Sequence, residues 1–280
     1  MSLLAVVLGL ASATVFALGS TLEQHAAKRE PATRTFDPRL LFRLLHRPMW
    51  LFGWIPDVAA TVLQAMALSF GALALVEPLL LAGVFIAIPL EAALERRRPH
   101  RRDLLVVALG VAGLAAFLIA ANPRAGVDQP SPLAWTGVGL VIGALFAICL
   151  IGAWRVREAS RGVLLGIATG LLYGAAAALL KTLTAEFTAD PVGVLNDWQL
   201  YVLVVVGIGG VVLNQNAFQG GPIAASLSVI ALVDPLVGVL VGVTAFHERL
   251  SLEPARVVIQ VAAAVVMTVG IVLAGTTRSR

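Results

Sequence analysis

Charge is what this chain has least of. Only 13% of its residues are Asp, Glu, Lys or Arg, whereas 59% are hydrophobic, and the mean hydropathy is +0.92. A water-facing surface alone needs more charge than that, so the composition excludes a soluble domain and leaves a polytopic membrane protein. Cysteine is nearly absent too. Cys149 stands alone in an apolar run, which rules out an intrachain disulfide and, with only four scattered histidines, a structural zinc site. Catalytic signatures are missing: His25, His46, His100 and His247 fall at the ends of apolar runs or between them, neither HExxH nor GxSxG occurs, and Lys181-Thr182 lacks the preceding glycine of a Walker loop. Neither an enzyme nor a cofactor is expected. No apolar run carries spaced arginines, so a voltage sensor is excluded as well. The net charge of +4 and the pI near 10.0 do not indicate nucleic acid, because the basic residues gather in short clusters between apolar runs. The partner they imply is the lipid bilayer.

Nine apolar runs are present, at 3–22, 49–69, 72–92, 104–121, 134–154, 162–183, 200–218, 222–246 and 257–275. Each is close to the ~20 residues that cross a hydrocarbon core ~30 Å thick. The first is read as a retained helix rather than a signal peptide, since residues 1–5 carry no positive charge and its small residues Gly9, Ala13 and Ala17 return later as Gly166, Gly170 and Gly174. Small residues four apart predict close helix packing rather than a ligand groove. Between the first two runs, residues 25–47 hold six Lys or Arg with Leu40, Leu41, Leu44 and Leu45 on one stripe, the pattern of a short interfacial helix. Counted on alternate sides of nine spans, sixteen Lys and Arg face one side and three the other. By the positive-inside rule the chain sits in the cytoplasmic (inner) membrane with its N-terminus outside and its C-terminus in the cytoplasm.

One hexapeptide occurs twice. Ala74-Leu75-Val76-Glu77-Pro78-Leu79 returns 157 positions later as Ala231-Leu232-Val233-Asp234-Pro235-Leu236. The same offset pairs Phe16 with Tyr173, Gln24 with Lys181, Asp57 with Asn214, Glu91 with Glu248 and Gly113 with Gly270, so the match extends beyond aliphatic residues to charged, aromatic and glycine positions. The chain therefore divides into a first repeat at 1–122, a connector with the fifth span at 123–161, and a second repeat at 162–280. An odd shift of five helices turns the second repeat upside down. The expected fold is an all-α membrane protein of nine transmembrane helices, helices one to four and six to nine forming an inverted repeat around helix five. Secondary transporters share this layout and place substrate at the repeat interface.

An ionised side chain in a bilayer costs roughly 2.5 to 3.5 kcal/mol on insertion scales, so an acid within a span implies a polar cavity, a partner or an exchangeable proton. Asp57, Glu77 and Asp234 are the main candidates for substrate binding. Beside Glu77 and Asp234 a proline lacks an N–H, which frees the carbonyls of Ala74 and Ala231 for a cation, a proton or a donor group. The plainer reading of both acids is a kinked helix whose carboxylate caps a broken segment or pairs with Lys181. Gln64 joins the candidates from the second span. Asn214, Gln215 and Asn216 are consecutive, so at least one must face the bundle, either bonding another helix or touching substrate. Lys181 lies near the end of its span, where snorkelling to the headgroups competes with binding. Glu91 and Glu248 close the proline-bearing spans as interfacial anchors or caps, with gating as the lesser reading. The sequence identifies no set of metal ligands, and it is compatible with a homodimer.

The proline-bearing helix followed by His247-Glu248-Arg249-Leu250-Ser251 resembles the "P…GERLS" signature of the drug/metabolite transporter superfamily, the EamA-like permeases. Glu91 takes the corresponding place in the first half. Within that group the nine-span layout, the start of the second span at Trp50 to Gly53 and the Ala-Leu…Pro-Leu stretch look most like bacterial relatives of NIPA-type magnesium transporters. Typical members have ten spans, and here the amphipathic segment 36–47 stands where the second would be. NIPA-type proteins carry an uncharged residue at the place of Glu77. The resemblance implies a secondary transporter of a small solute, with proton coupling through Glu77 or Asp234. A divalent-cation carrier is the alternative within transport, and a non-transporting membrane scaffold or accessory subunit is the alternative outside it.

Overall fold

The computed structural model describes residues 2–27, 48–94, 98, 100–156, 159–219 and 223–278, with side chains excepted at 23–27, 48–54, 159, 215, 218–219, 223–225 and 276–278. The amphipathic segment 36–47 and the side chains of Trp50, Gly53, Gln24 and Gln215 fall outside that set. The described chain is helical, in the order α1 (Leu3–Ala27), α2 (Pro48–Phe70), α3 (Leu73–Leu80), α4 (Ala82–Leu94), α5 (Arg101–Ala121), α6 (Pro132–Arg155), α7 (Ala159–Ala189), a single 3-10 turn (Gly193–Asn196), α8 (Trp198–Gln219), α9 (Ile223–Thr244) and α10 (Pro254–Arg278). Seven stretches among the described residues are long and apolar enough to cross a membrane, α3 and α4 counting together, and Ile55–Phe70 and Trp198–Asn214 are apolar but shorter. This is the build of a multi-pass membrane protein.

Local chemistry sets the helix ends. Ser131 accepts a hydrogen bond from the Ala134 N–H with Pro132 at the first helical position, a start signal for α6. Asn122 adopts the left-handed conformation (φ 42°) that closes α5.

Packing follows one order in both halves of the chain. Helix α1 packs on α2 and on α3 and α4, α7 packs on α8 and α9, and the two groups meet where α3 lies on α9 and α5 on α10. Helix α6 touches chiefly α7 and lies outermost. The small-residue stripes are where backbones approach. A Cβ on Gly170 would come 2.7 Å from the Val233 Cβ and 3.1 Å from the Asp234 nitrogen, and one on Gly174 would come 2.9 Å from the Asp234 carbonyl oxygen. In the first half, a Cβ on Gly83 would meet the Ala13 carbonyl oxygen at 2.8 Å, and one on Gly9 the Leu79 Cδ1 at 3.2 Å.

These contacts show a slip. Gly9 and Ala13 correspond in sequence to Gly166 and Gly170, but their partners Leu79 and Gly83 do not correspond to those of the second half. Gly166 comes closest to Ser226 and then to Val229, and Gly170 faces Val233, seven positions short of the place that a uniform 157-residue offset from Gly83 would give. Seven residues are about two helical turns, so the helix face is kept while the register moves.

Substitution at two glycines separates packing from composition. Gly170→Leu should prevent formation of a monodisperse, heat-cooperative protein, because its Cβ position is already filled by α9. Gly139→Leu on α6, where a Cβ would meet nothing within 4 Å, should be tolerated. Size-exclusion profile and thermal denaturation in detergent check both, and a normally folded Gly170→Leu would mean that α7 and α9 are not held together through this stripe.

Candidate acid pair between a broken and a continuous helix

The sequence predicts one helix over 72–92, and the structure divides it. Pro78 offers no N–H to the Ala74 carbonyl, and the chain tightens past it: the Leu81 N–H bonds back to the Pro78 oxygen at 3.1 Å and the Val84 N–H to the Leu81 oxygen at 3.0 Å. Helix α3 thus ends at Leu80 and α4 begins at Ala82. At its other end α3 follows an extended Ala72 (φ −66°, ψ 145°) that gives it no side-chain cap. The matching Pro235 does not break α9, which runs through it.

Seven of the eight residues of α3 are buried, Glu77 among them at 1% exposure. Its carboxylate accepts a hydrogen bond of 2.9 Å from the Gln64 amide of α2. On the other side it lies against Gly238 of α9, where a Cβ would come 2.9 Å from the Glu77 Cβ. Gly238 is one turn beyond Asp234, and the Glu77 and Asp234 carboxylates are near enough to feel each other's charge. Asp234 is half-buried, and its Oδ1 is shielded from solvent without a hydrogen-bond partner. Two acids from opposite halves of the chain therefore share one low-dielectric layer. Only one of them is matched by a donor.

One turn further along the same interface lies Glu248. It is 3% exposed and reaches across to the start of α3, where its oxygens accept the N–H groups of Leu73 at 2.6 Å and Ala74 at 2.8 Å. It thereby supplies from the far half the cap that Ala72 does not provide. Lys181, also 3% exposed, completes the cluster with its ammonium 2.5 Å from Glu248 and 4.9 Å from the centre of the Phe246 ring. A Cβ on Gly242 would come 2.5 Å from a Glu248 oxygen, so the glycine makes room for the acid.

The candidates divide accordingly. Glu77, Gln64 and Asp234 form one group. Lys181 does not extend to the headgroups as its position near a span end suggests; the Glu248 carboxylate supplies the opposite charge that keeps it inside, and the Phe246 ring lies beneath it. Glu248, read from sequence as an anchor or cap, does cap a helix, though not its own. Asp57 is half-buried on α2, seven residues before Gln64 and hence about 10 Å along the same face. Asn214 belongs to α8, which packs chiefly on α7; its Oδ1 is buried without a hydrogen-bond partner. Asn216 spends its amide on the Val212 carbonyl of its own helix at 2.7 Å. Gly238 and Gly242 are not among the sequence candidates, although their spacing of four and eight from Asp234 was there to be read.

No family model matches the chain, and no solved structure matches it. The chain is 29% identical over 254 residues to an uncharacterized protein of Corynebacterium glutamicum, an alignment that takes in 89% of this chain and 86% of that one.

Proposed function

We propose that this protein is a secondary transporter of the drug/metabolite type, which moves a small solute across the cytoplasmic membrane by alternating access between two inverted halves. One observation carries the reading: Glu77, buried on α3, lies against Gly238 of α9, one turn from Asp234, so that one acid from each half stands inside apolar helices where a charge without a task would be costly. The nine crossings proposed comprise helices one to four, a connecting fifth, and six to nine. Helices α2 and α8, 23 and 22 residues long, favour that count, because at about 1.5 Å per residue each measures roughly 33 Å. The likeness of packing order between the halves favours the repeat, and the resemblance of the Glu248 region to EamA-like permeases favours the class.

Two carboxylates with one bound donor suit a cationic solute or an exchanged proton. A divalent cation would need oxygen ligands, and the Gln64 amide turns its nitrogen to Glu77. Purified protein in liposomes with an imposed pH gradient tests the class: flux of a cationic solute supports it, and absence of flux across metal ions, amino acids, polyamines and cationic drugs would favour a scaffold.

The orientation proposed, N-terminus outside and C-terminus in the cytoplasm, rests on the sixteen-to-three asymmetry of Lys and Arg. In a Cys149→Ser background, an impermeant thiol reagent applied to intact cells should label Ser131→Cys and spare Arg98→Cys. Labelling of Arg98→Cys would overturn the topology and the inverted pairing with it.

A further inference from the structure

We propose that Glu248, Lys181 and the first turn of α3 form a latch, and that α3 is a hinged segment which swings away from α9 when the latch opens, exposing Glu77. Three observations build it. Helix α3 is eight residues long and starts after the extended Ala72. It passes into α4 through one right-handed helical residue, Leu81, where the bonds tighten to the i−3 pattern and the Ala74 carbonyl has no Pro78 N–H to hold it, so this turn is where α3 would flex. Polar groups here meet α9 at glycines, Gly238 under Glu77 and Gly242 under Glu248, while Leu73 and Val76 share an apolar cluster with Val237 and Val241 and, among the described residues, have no polar tie to α9.

Third, the two sides of the latch differ in rigidity. Glu248 belongs to a segment tied into the loop after α5 by backbone bonds, the Val127 N–H to the Phe246 oxygen at 2.8 Å, a two-way pairing of Arg124 with Arg249, and the Ser251 N–H to the Ala121 oxygen at 2.8 Å. Phe246 is held by Trp135, edge-on at 6.2 Å. A fixed carboxylate therefore grips a hinged helix by two N–H groups and steadies its own charge on Lys181. Among the described residues, the side-chain hydrogen bonds to α3 come from Gln64 and Glu248, and Glu248 holds its first turn. The proposal relies on the carrier reading for what the opening serves, but its test measures the opening itself, with no transport in the readout.

Val76 on α3 and Ala168 on α7 are both fully buried, and each accepts cysteine with little change of volume. In a Cys149→Ser background, Val76→Cys reports opening of α3 through its labelling rate with a small water-soluble thiol reagent, and Ala168→Cys reports general loosening. Adding Glu248→Gln should raise labelling at position 76 about tenfold or more and leave position 168 unchanged, as expected for local rather than global opening.

A second variant spares the ion pair. Leu73→Pro removes the N–H that Glu248 grips most closely, at a first helical position where proline fits and after an Ala72 already extended as proline requires. It should accelerate labelling at 76 several-fold, again without effect at 168, and it decides alone if Glu248→Gln does not give a monodisperse protein. Equal acceleration at both positions, or none at 76, would overturn the latch and leave the pair as a structural tie. Failure of the transport assay alone would leave the result standing.

Discussion

Replacing Glu77 by Gln and Asp234 by Asn should reduce pH-gradient-driven flux in proteoliposomes to the background of empty vesicles, while the protein folds as well as before. The amides keep shape and hydrogen-bonding capacity. Gln64 can still bond position 77, and the room left by Gly238 fits either side chain. Insertion should be unharmed or easier, since each lost charge removes a cost of about 2.5 to 3.5 kcal/mol. What is lost is the negative charge that attracts a cation and the site that takes up and releases a proton. The single variants should differ. Asp234→Asn should have the larger effect, because Asp234 lies at the middle of α9 with an oxygen no donor occupies, whereas Glu77 is near the start of α3 and already holds Gln64. Undiminished transport by the double variant would remove the acid pair from the mechanism.

The second large effect concerns stability and has a direction that geometry fixes. Glu248→Leu leaves the Lys181 ammonium buried without its carboxylate and leaves the Leu73 and Ala74 N–H groups uncapped, so it should cost about 3 to 5 kcal/mol, the range for breaking a buried pair from one side. Lys181→Met should cost less. The carboxylate it strands keeps both N–H groups and the favourable end of the α3 dipole, and methionine fills the lysine's place against Phe246. The double variant should be less destabilised than the sum of the two, because the second change removes a charge the first had orphaned. Denaturation in mild detergent, followed by circular dichroism, gives the ranking. If Lys181→Met proves the costlier change, the grip of Glu248 on α3 contributes little.

The apolar spans were legible because a bilayer demands about twenty apolar residues in a row, a constraint written locally in the chain. The break in the third span was half legible: Pro78 announced a lost hydrogen bond, but the identical dipeptide position at Pro235 leaves α9 continuous, and only the neighbours decide which occurs. Lys181 was misplaced for a related reason. Its partner is 67 residues away, and nothing near position 181 shows that a carboxylate will reach it. Glu77 and Asp234 were singled out from sequence on the argument that they are equivalents, and the structure sets Glu77 one turn from Asp234 across α3 and α9. The slip of seven residues between α1–α4 and α7–α9 shows that they come together without occupying equivalent places. A gapless match of letters fixes positions along the chain, whereas packing decides which positions face each other.

Glu77 stands off centre in its own span, although Asp234 is at the middle of α9. Glu77 lies only four residues past Leu73, about 6 Å along the helix axis, but 17 residues before Leu94, about 25 Å. In a membrane under voltage, a cation arriving at Glu77 from the near end would cross a small share of the electric field, and the step joining Glu77 to the far end would cross most of it. Nearly all the voltage dependence of such a carrier would then reside in that one step, at about 2.3 kcal/mol per charge for a full 100 mV.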